Sequence, residues 1–140
     1  KRRLKENARQ RKLRDYFITR LLRQIPGAVL NGPDERGYAA AVFEPRRLPN
    51  NVNVSFLGVD GEALVLYLDA RGIAASTGSA CASGSTEPSH VIEAIGRPPE
   101  YTKGSIRFTL GKDTTKPDVN YALKVLAGLV AELRKMESVK

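Results

Sequence analysis

Tryptophan is absent from these 140 residues, and cysteine, histidine and methionine occur once each. A single cysteine excludes an internal disulfide and any multi-cysteine metal site, and a single histidine excludes histidine-rich ligation. Long apolar runs are missing too: the longest uninterrupted one, Ala63 to Leu68, is far too short to cross a bilayer. The basic N-terminus is not followed by the apolar stretch of a secretory signal, so a cytoplasmic setting is expected, with no membrane role. No internal repeat is visible. What remains is 41% apolar and 27% charged, the composition of a single globular domain with one modest core.

The net charge of +8 is confined to one place. Residues 1–23 hold ten basic side chains against Glu6 and Asp15, whereas the rest of the chain carries thirteen of each sign. A basic patch attracts phosphates or acidic partners. No arginine–aromatic alternation or helix-turn-helix pattern accompanies this one, so a solvated basic helix face is expected and nucleic-acid binding is not.

Leu13, Phe17, Leu21 and Ile25 recur every fourth residue, which predicts a helix ended by Pro26-Gly27. A chain that opens inside a charged helical run without an initiator Met reads as a piece of something longer. Val29-Leu30 predicts a short strand before the turn Asn31-Gly32-Pro33-Asp34, and Tyr38 to Phe43 a second. Val52, Val54 and Phe56 alternate with Asn53 and Ser55, the pattern of a half-buried strand. Asp60 predicts an N-cap and Gly72 the end of a helix from about Gly61 to Arg71. Ile73 to Ser76 reads as a short strand. Pro88 suits the first turn of a short helix that ends near Gly96. Ser105 to Leu110 alternates again, and Thr115, with Pro117 and Asp118 behind it, caps a last helix whose buried stripe is Leu123, Leu126, Val130 and Leu133. The fold class expected is a small α/β domain: a mostly antiparallel or mixed sheet of three to five strands, covered on one face by helices.

Between these elements, Ser76 to Ser85 contains no large side chain and no charge, which predicts a surface loop around Cys81. A lone cysteine is commonly a buried structural residue. Here its neighbours offer nothing to pack against, and the nearest strongly apolar side chains, Ile73 and Val91, are eight and ten positions away. An accessible thiol is a nucleophile or acceptor, although no adjacent cation lowers its pKa. The surrounding glycines lack the spacing of a phosphate-cradling loop. Arg107 lies mid-strand on the polar side of Ile106-Arg107-Phe108. Such a guanidinium can grip a carboxylate, but the pattern alone favours an ordinary solvent-facing arginine. His90, on the short helix, reads as a hydrogen-bonding helix-end residue rather than a catalyst. Asn31-Gly32 and Gly58 to Gly61 read as turn chemistry.

Five blocks in order then resemble a known family. Leu48 to Phe56 (LPNNVNVSF), Gly61 to Leu64 (GEAL), Ser76 to Cys81 (STGSAC), Glu87 to Val91 (EPSHV) and Gly104 to Gly111 (GSIRFTLG) are similar, over about residues 48–112, to the C-terminal region of NifS/IscS-type cysteine desulfurases. These are pyridoxal-phosphate enzymes of the class V aminotransferase group. The resemblance implies the small domain of a fold-type I enzyme that takes sulfur from L-cysteine, leaves L-alanine, and supplies iron–sulfur cluster or thio-cofactor biosynthesis. It makes Cys81 the residue that carries the sulfur as a persulfide, on a mobile loop 76–88, and Arg107 the residue that holds the substrate carboxylate. The boundaries implied are residues 1–27 as a basic helix joining a missing large domain, and residues 28–140 as the small C-terminal domain. The loop around Cys81, with Thr77 in its second place, is similar to the NifS/IscS group rather than the SufS group.

The family's Schiff-base lysine, the histidine that stacks on the cofactor ring and the aspartate that pairs with its nitrogen have no counterpart here. Gly37 to Pro45 is longer than the family's usual approach to the Leu-Pro-Asn block. The chain alone is therefore expected to bind no pyridoxal phosphate, to hold no metal and to turn over no cysteine. Its implied partners are L-cysteine, the cofactor-bearing large domain, a sulfur-accepting scaffold protein and, at full length, a second copy. A split subunit that relays persulfide and an inactive basic binding module are the alternatives.

Overall fold

The structure, a computed structural model, describes residues 2–34, 47–77 and 89–138. Helix α1 (Arg2–Gln24) turns Leu13, Phe17, Ile18 and Leu21 inward, as their spacing requires. Ile25 is also buried just past its end, and Gly27 breaks the chain with φ +74°. Strand β1 (Ala28–Leu30) follows, then β2 (Asn51–Phe56), helices α2 (Gly61–Asp69), α3 (His90–Ala94) and α4 (Pro99–Thr102), strand β3 (Ser105–Thr109), and helix α5 (Lys116–Glu137).

The strands form one antiparallel sheet in the order β1-β2-β3. Because side chains alternate across a sheet, its register sorts them into two faces. Val54 lies opposite Leu30 and Ile106, and Val52 opposite Phe108, so one face is apolar. Helices α1, α2 and α5 supply the other half of the core, including Leu64, Leu68, Leu123, Leu126 and Val130. Phe17 meets Phe108 edge to face with ring centroids 5.3 Å apart, which joins α1 to β3. Residues 1–27, expected as a joining helix, thus share one core with the rest of the described chain.

The basic helix is not simply a solvated face. Arg14 is 1% exposed; its NH1 donates to the carbonyls of Arg47 and Leu48 at 3.3 and 3.0 Å, and Asp15 pairs with it at 2.8 Å. Arg9, held by Glu6, donates to the carbonyls of Gly111, Lys112 and Thr114 and so fastens the turn that precedes α5. A guanidinium can close several orphaned carbonyls at once, an option invisible in a count of charges.

Three further expectations are corrected. Ile73 to Ser76 is not a strand: the Ile73 N–H returns to the Leu68 carbonyl to close α2, and only Ser76 pairs, as a single bridge to Arg107. The short helix begins at His90 with Ser89 as its N-cap, so Pro88 precedes the cap instead of occupying the first turn. Helix α4 carries no apolar periodicity and was not anticipated; Pro99 starts it and it packs beside β2. Helix α2 has the Asp60 cap, accepting from Ala63 N–H at 2.9 Å, but ends at Asp69. The Tyr38–Phe43 strand, the Gly37–Pro45 insertion and the Cys81 segment from 78 to 88 lie outside the described residues. Among the described residues no helix is long and apolar enough to cross a membrane.

Two glycines let the chain cross itself closely. A Cβ on Gly61 would stand 2.7 Å from the Lys103 carbonyl oxygen, and one on Gly104 would stand 2.1 Å from that of Phe56. Gly104→Ala therefore forces backbone apart where Phe56 N–H donates to the Gly104 carbonyl at 3.0 Å. Its expected cost by urea denaturation is about 3 kcal/mol, the upper range for overpacking. Gly128→Ala, in α5 with nothing within 4 Å of its Cβ, is expected to stabilise by about 0.5–1 kcal/mol.

The start of α5 gives a pH signature. Thr115 and Asp118 form a reciprocal capping box, and hydrogen bonds from the Thr115 side chain and backbone hold the Asp118 carboxyl below its ordinary value. Because the folded value is the lower one, this stabilisation is complete above the unfolded value and is lost as pH falls through the folded value. Acid titration of the unfolding midpoint should show that loss, and Asp118→Asn should flatten it.

Candidate functional site

The second face of the sheet is polar, and its register brings candidate and unexpected residues together. Asn53 lies opposite Arg107, Ser55 opposite Ser105, and Asn51 opposite Thr109. Asn31 extends β1 by one residue, its N–H donating to the Asn53 carbonyl at 2.9 Å. Ser76 bridges to the far side of Arg107, with backbone bonds of 2.7 and 3.1 Å. One row across the sheet therefore reads Asn31, Asn53, Arg107, Ser76. The face grades from buried Ser55 and Ser105, through half-buried Asn53 and Arg107, to exposed Thr109.

At the buried end the polar groups satisfy one another. Arg97, between α3 and α4, donates from Nε to Asn31 Oδ1 at 3.1 Å and from NH2 to the Leu30 carbonyl. Asn31 Nδ2 donates to Asn53 Oδ1 and to Ser55 Oγ, both at 2.8 Å, and Ser105 Oγ donates to Asn53 Oδ1 at 3.3 Å. Arg47 donates to the Asn31 and Pro33 carbonyls. Asn31 was expected only to turn the chain; Gly32, with φ +79°, makes the turn, while the Asn31 side chain is 3% exposed and belongs to this network.

Arg107 is different. It is half-buried on a rigid central position, and among the described residues neither an ion pair nor a hydrogen bond involves its guanidinium. A strand-held cation with its donors uncommitted suits a carboxylate. His90 is exposed at the start of α3. Cys81 lies outside the described residues, and the chain that leads to it leaves the sheet from Ser76, beside Arg107. Among the described residues no cluster of histidine, cysteine, aspartate or glutamate could hold a metal.

A pyridoxal phosphate needs a desolvated lysine for its Schiff base and an acidic partner for its ring nitrogen. Every described lysine is exposed, and neither a lysine nor a carboxylate stands in the polar rows of the sheet. The residues described here do not by themselves fit that cofactor.

The sequence pointed to Arg107 but missed Asn31, Asn53, Ser55, Ser105 and Arg97. Strand parity places Asn53, Ser55, Ser105 and Arg107 on polar sides, which was a readable signal; the pairing that joins them was not. Arg107→Val tests whether Arg107 holds the fold. A β-branched residue suits the strand and no partner among the described residues is lost, so stability should change by less than about 0.5 kcal/mol. Asn31→Ala, which removes the acceptor of Arg97 Nε and the donor to Asn53 Oδ1 and Ser55 Oγ, should cost about 1–3 kcal/mol by the same urea measurement.

Residues 5–122 match the model of the aminotransferase class-V family. Among curated relatives, the chain is 48% identical over 136 residues to the cysteine desulfurase IscS of Dictyoglomus turgidum, which covers 97% of this chain and 32% of that protein. It is 43% identical over 133 residues to the IscS-like cysteine desulfurase of Mycobacterium tuberculosis, covering 94% of this chain and 32% of the relative. A solved structure titled NifS-like protein superposes with a TM-score of 0.68 at 28% identity, over 89% of this chain and 28% of the other. The NifS-like protein from Rickettsia africae shares the fold, with a TM-score of 0.66 at 21% identity, over 90% of this chain and 29% of that one. The chain thus spans about a third of the length of the curated relatives it matches. With the family's model matched over most of its length, the chain belongs to the class-V aminotransferase family.

Proposed function

We propose that this chain is the small C-terminal domain of a cytoplasmic cysteine desulfurase, in which Arg107 holds the carboxylate of L-cysteine and Cys81 receives its sulfur. The observation that carries the reading is the position of Arg107: half-buried, mid-strand, uncommitted, and paired through its backbone with Ser76, where the Cys81 segment departs. Cys81 stands five residue steps beyond Ser76. At ~3.3–3.6 Å per residue the thiol's tether reaches no more than about 18 Å from that bridge. A substrate anchored at Arg107 is therefore within the compass of this thiol.

The chemistry asked of this chain is limited. The Arg107 guanidinium forms charge-assisted hydrogen bonds to the substrate carboxylate, which fixes the orientation of the rest of the molecule. The Cys81 thiolate attacks the substrate sulfur and keeps it as a persulfide, while the carbon skeleton leaves as L-alanine. Residues outside this chain supply the pyridoxal phosphate, and a scaffold protein takes the sulfur onward for iron–sulfur cluster or thio-cofactor assembly. At full length the enzyme is a homodimer. Two arginines of α1, Arg9 and Arg14, are committed to internal carbonyls, which weakens the alternative of a basic binding module.

The test is peptide mass spectrometry of Cys81 after the full-length enzyme has been incubated with L-cysteine. One added sulfur atom on Cys81 is expected, lost on treatment with a reducing thiol and absent in Cys81→Ser. Arg107→Ala should raise KM for L-cysteine by about tenfold or more, the equivalent of one charge-assisted hydrogen bond. Sulfur that accumulates elsewhere while Cys81 stays unmodified would overturn the assignment.

A further inference from the structure

The amide network beside Arg107 has a polarity, and that polarity ends on the substrate side. Arginine has donors only. Arg97 Nε donates to one end of the Asn31 amide at 3.1 Å, so that end is the oxygen, Oδ1. The other end, Nδ2, then faces Asn53 and Ser55 as a donor. The Asn53 atom that meets it at 2.8 Å must be an acceptor, Oδ1, and the Ser105 hydroxyl donates to the same oxygen at 3.3 Å. One donor-only side chain thereby settles the flip of two amides in series. The acceptor of Asn53 is spent on the buried end of the face, and both N–H groups of its Nδ2 are left for the other side.

On that other side the register places Arg107, directly opposite Asn53 on the neighbouring strand. Side chains in such a pair have Cβ atoms about 4.5–5.5 Å apart and share a face. An amide N–H and a guanidinium cannot satisfy each other, because both are donors. Two adjacent donor groups on a half-buried face are complementary to an acceptor with more than one oxygen. We propose that Asn53 Nδ2 and the Arg107 guanidinium form one carboxylate cradle, and that Arg97, through Asn31, is the positioning residue that keeps the Asn53 donor turned toward it. This rests on the reading that Arg107 binds the carboxylate of L-cysteine and adds a second substrate-binding residue to it.

Asn53→Asp isolates the idea. Aspartate keeps an oxygen where Asn31 and Ser105 donate, so the buried network and the melting temperature are retained, but the outward donor becomes an anionic oxygen beside Arg107. In the full-length holoenzyme, KM for L-cysteine should rise at least about tenfold, the loss of one hydrogen bond to a charged group. The preference for L-cysteine over its methyl ester, which lacks the carboxylate charge, should fall in parallel. Asn53→Ala should erode the same preference, and adding Arg107→Ala to it should cost less than the two separate effects multiplied, because both donors serve one group. Arg97→Leu, which frees the Asn31 amide to flip, should weaken the preference less. If Arg107→Ala raises KM while both Asn53 variants, folded, leave KM and ester preference unchanged, the cradle is refuted and Arg107 stands alone. If Arg107→Ala itself leaves them unchanged, the carboxylate reading has failed and the cradle with it.

Discussion

The pairing of β2 with β3 is the constraint on which the rest of this molecule depends. In one register Val52 and Val54 stand beside Phe108 and Ile106 on the core face of the sheet, while Asn53 stands beside Arg107 on the other face. A slip of one residue would turn the polar row inward and the apolar row outward, at a cost no small domain could bear. The hydrophobic effect thus aligns the polar face without touching it. Burial of two valines, an isoleucine and a phenylalanine determines which amide stands beside which guanidinium.

This explains why the domain tolerates, in the middle of β3, an arginine with no partner among the described residues. Arg107 contributes little to the core, and the stability of its strand comes from Ile106 and Phe108 on either side, both nearly inaccessible. The neighbouring polar groups do not lean on it either: Arg97 donates to Asn31, Asn31 to Asn53 and Ser55, and Ser105 to Asn53. A buried polar network is stable only when its members are matched, and this one closes before it reaches Arg107. Among the described residues nothing occupies the guanidinium, which is the arrangement the proposed binding role requires.

Much of the fold could be read from periodicity. The stripe Leu13, Phe17, Leu21 and the stripe Leu123, Leu126, Val130, Leu133 both lie in the core, and the Asp60 and Thr115 caps stand where side-chain chemistry put them. Ile73 to Ser76 failed because a short apolar stretch cannot reveal whether a neighbouring strand is free along its whole length. Helix α4 failed because Pro99-Glu100-Tyr101-Thr102 has no period to detect. At the site, local pattern left Arg107 as an ordinary surface arginine, and the five ordered motifs raised it to a candidate. Asn31 was hidden because an Asn-Gly pair announces a turn so strongly that a second role for its side chain goes unseen. Arg97 was hidden because its partners lie more than sixty residues away in the chain.

Charge was the other misleading signal. The excess of arginine and lysine in residues 1–23 suggests one continuous basic surface, yet Arg14 is more deeply buried than most of the apolar side chains of α1. Its guanidinium receives the chain at Arg47 and Leu48 as it returns toward β2, and Arg47 in turn grips the carbonyls of Asn31 and Pro33 where the chain left β1. The two arginines therefore fasten the chain just after β1 and just before the strand that carries Asn53. Most of the cations of residues 1–23 form the solvated helix face expected of them, whereas Arg9 and Arg14 act as staples. The same fixed donor geometry that lets a guanidinium close backbone carbonyls at Arg14 and Arg47 lets it orient an amide at Arg97, and it suits Arg107 to the carboxylate proposed for it. What separates the structural uses from the functional one is only whether the chain itself provides the acceptor.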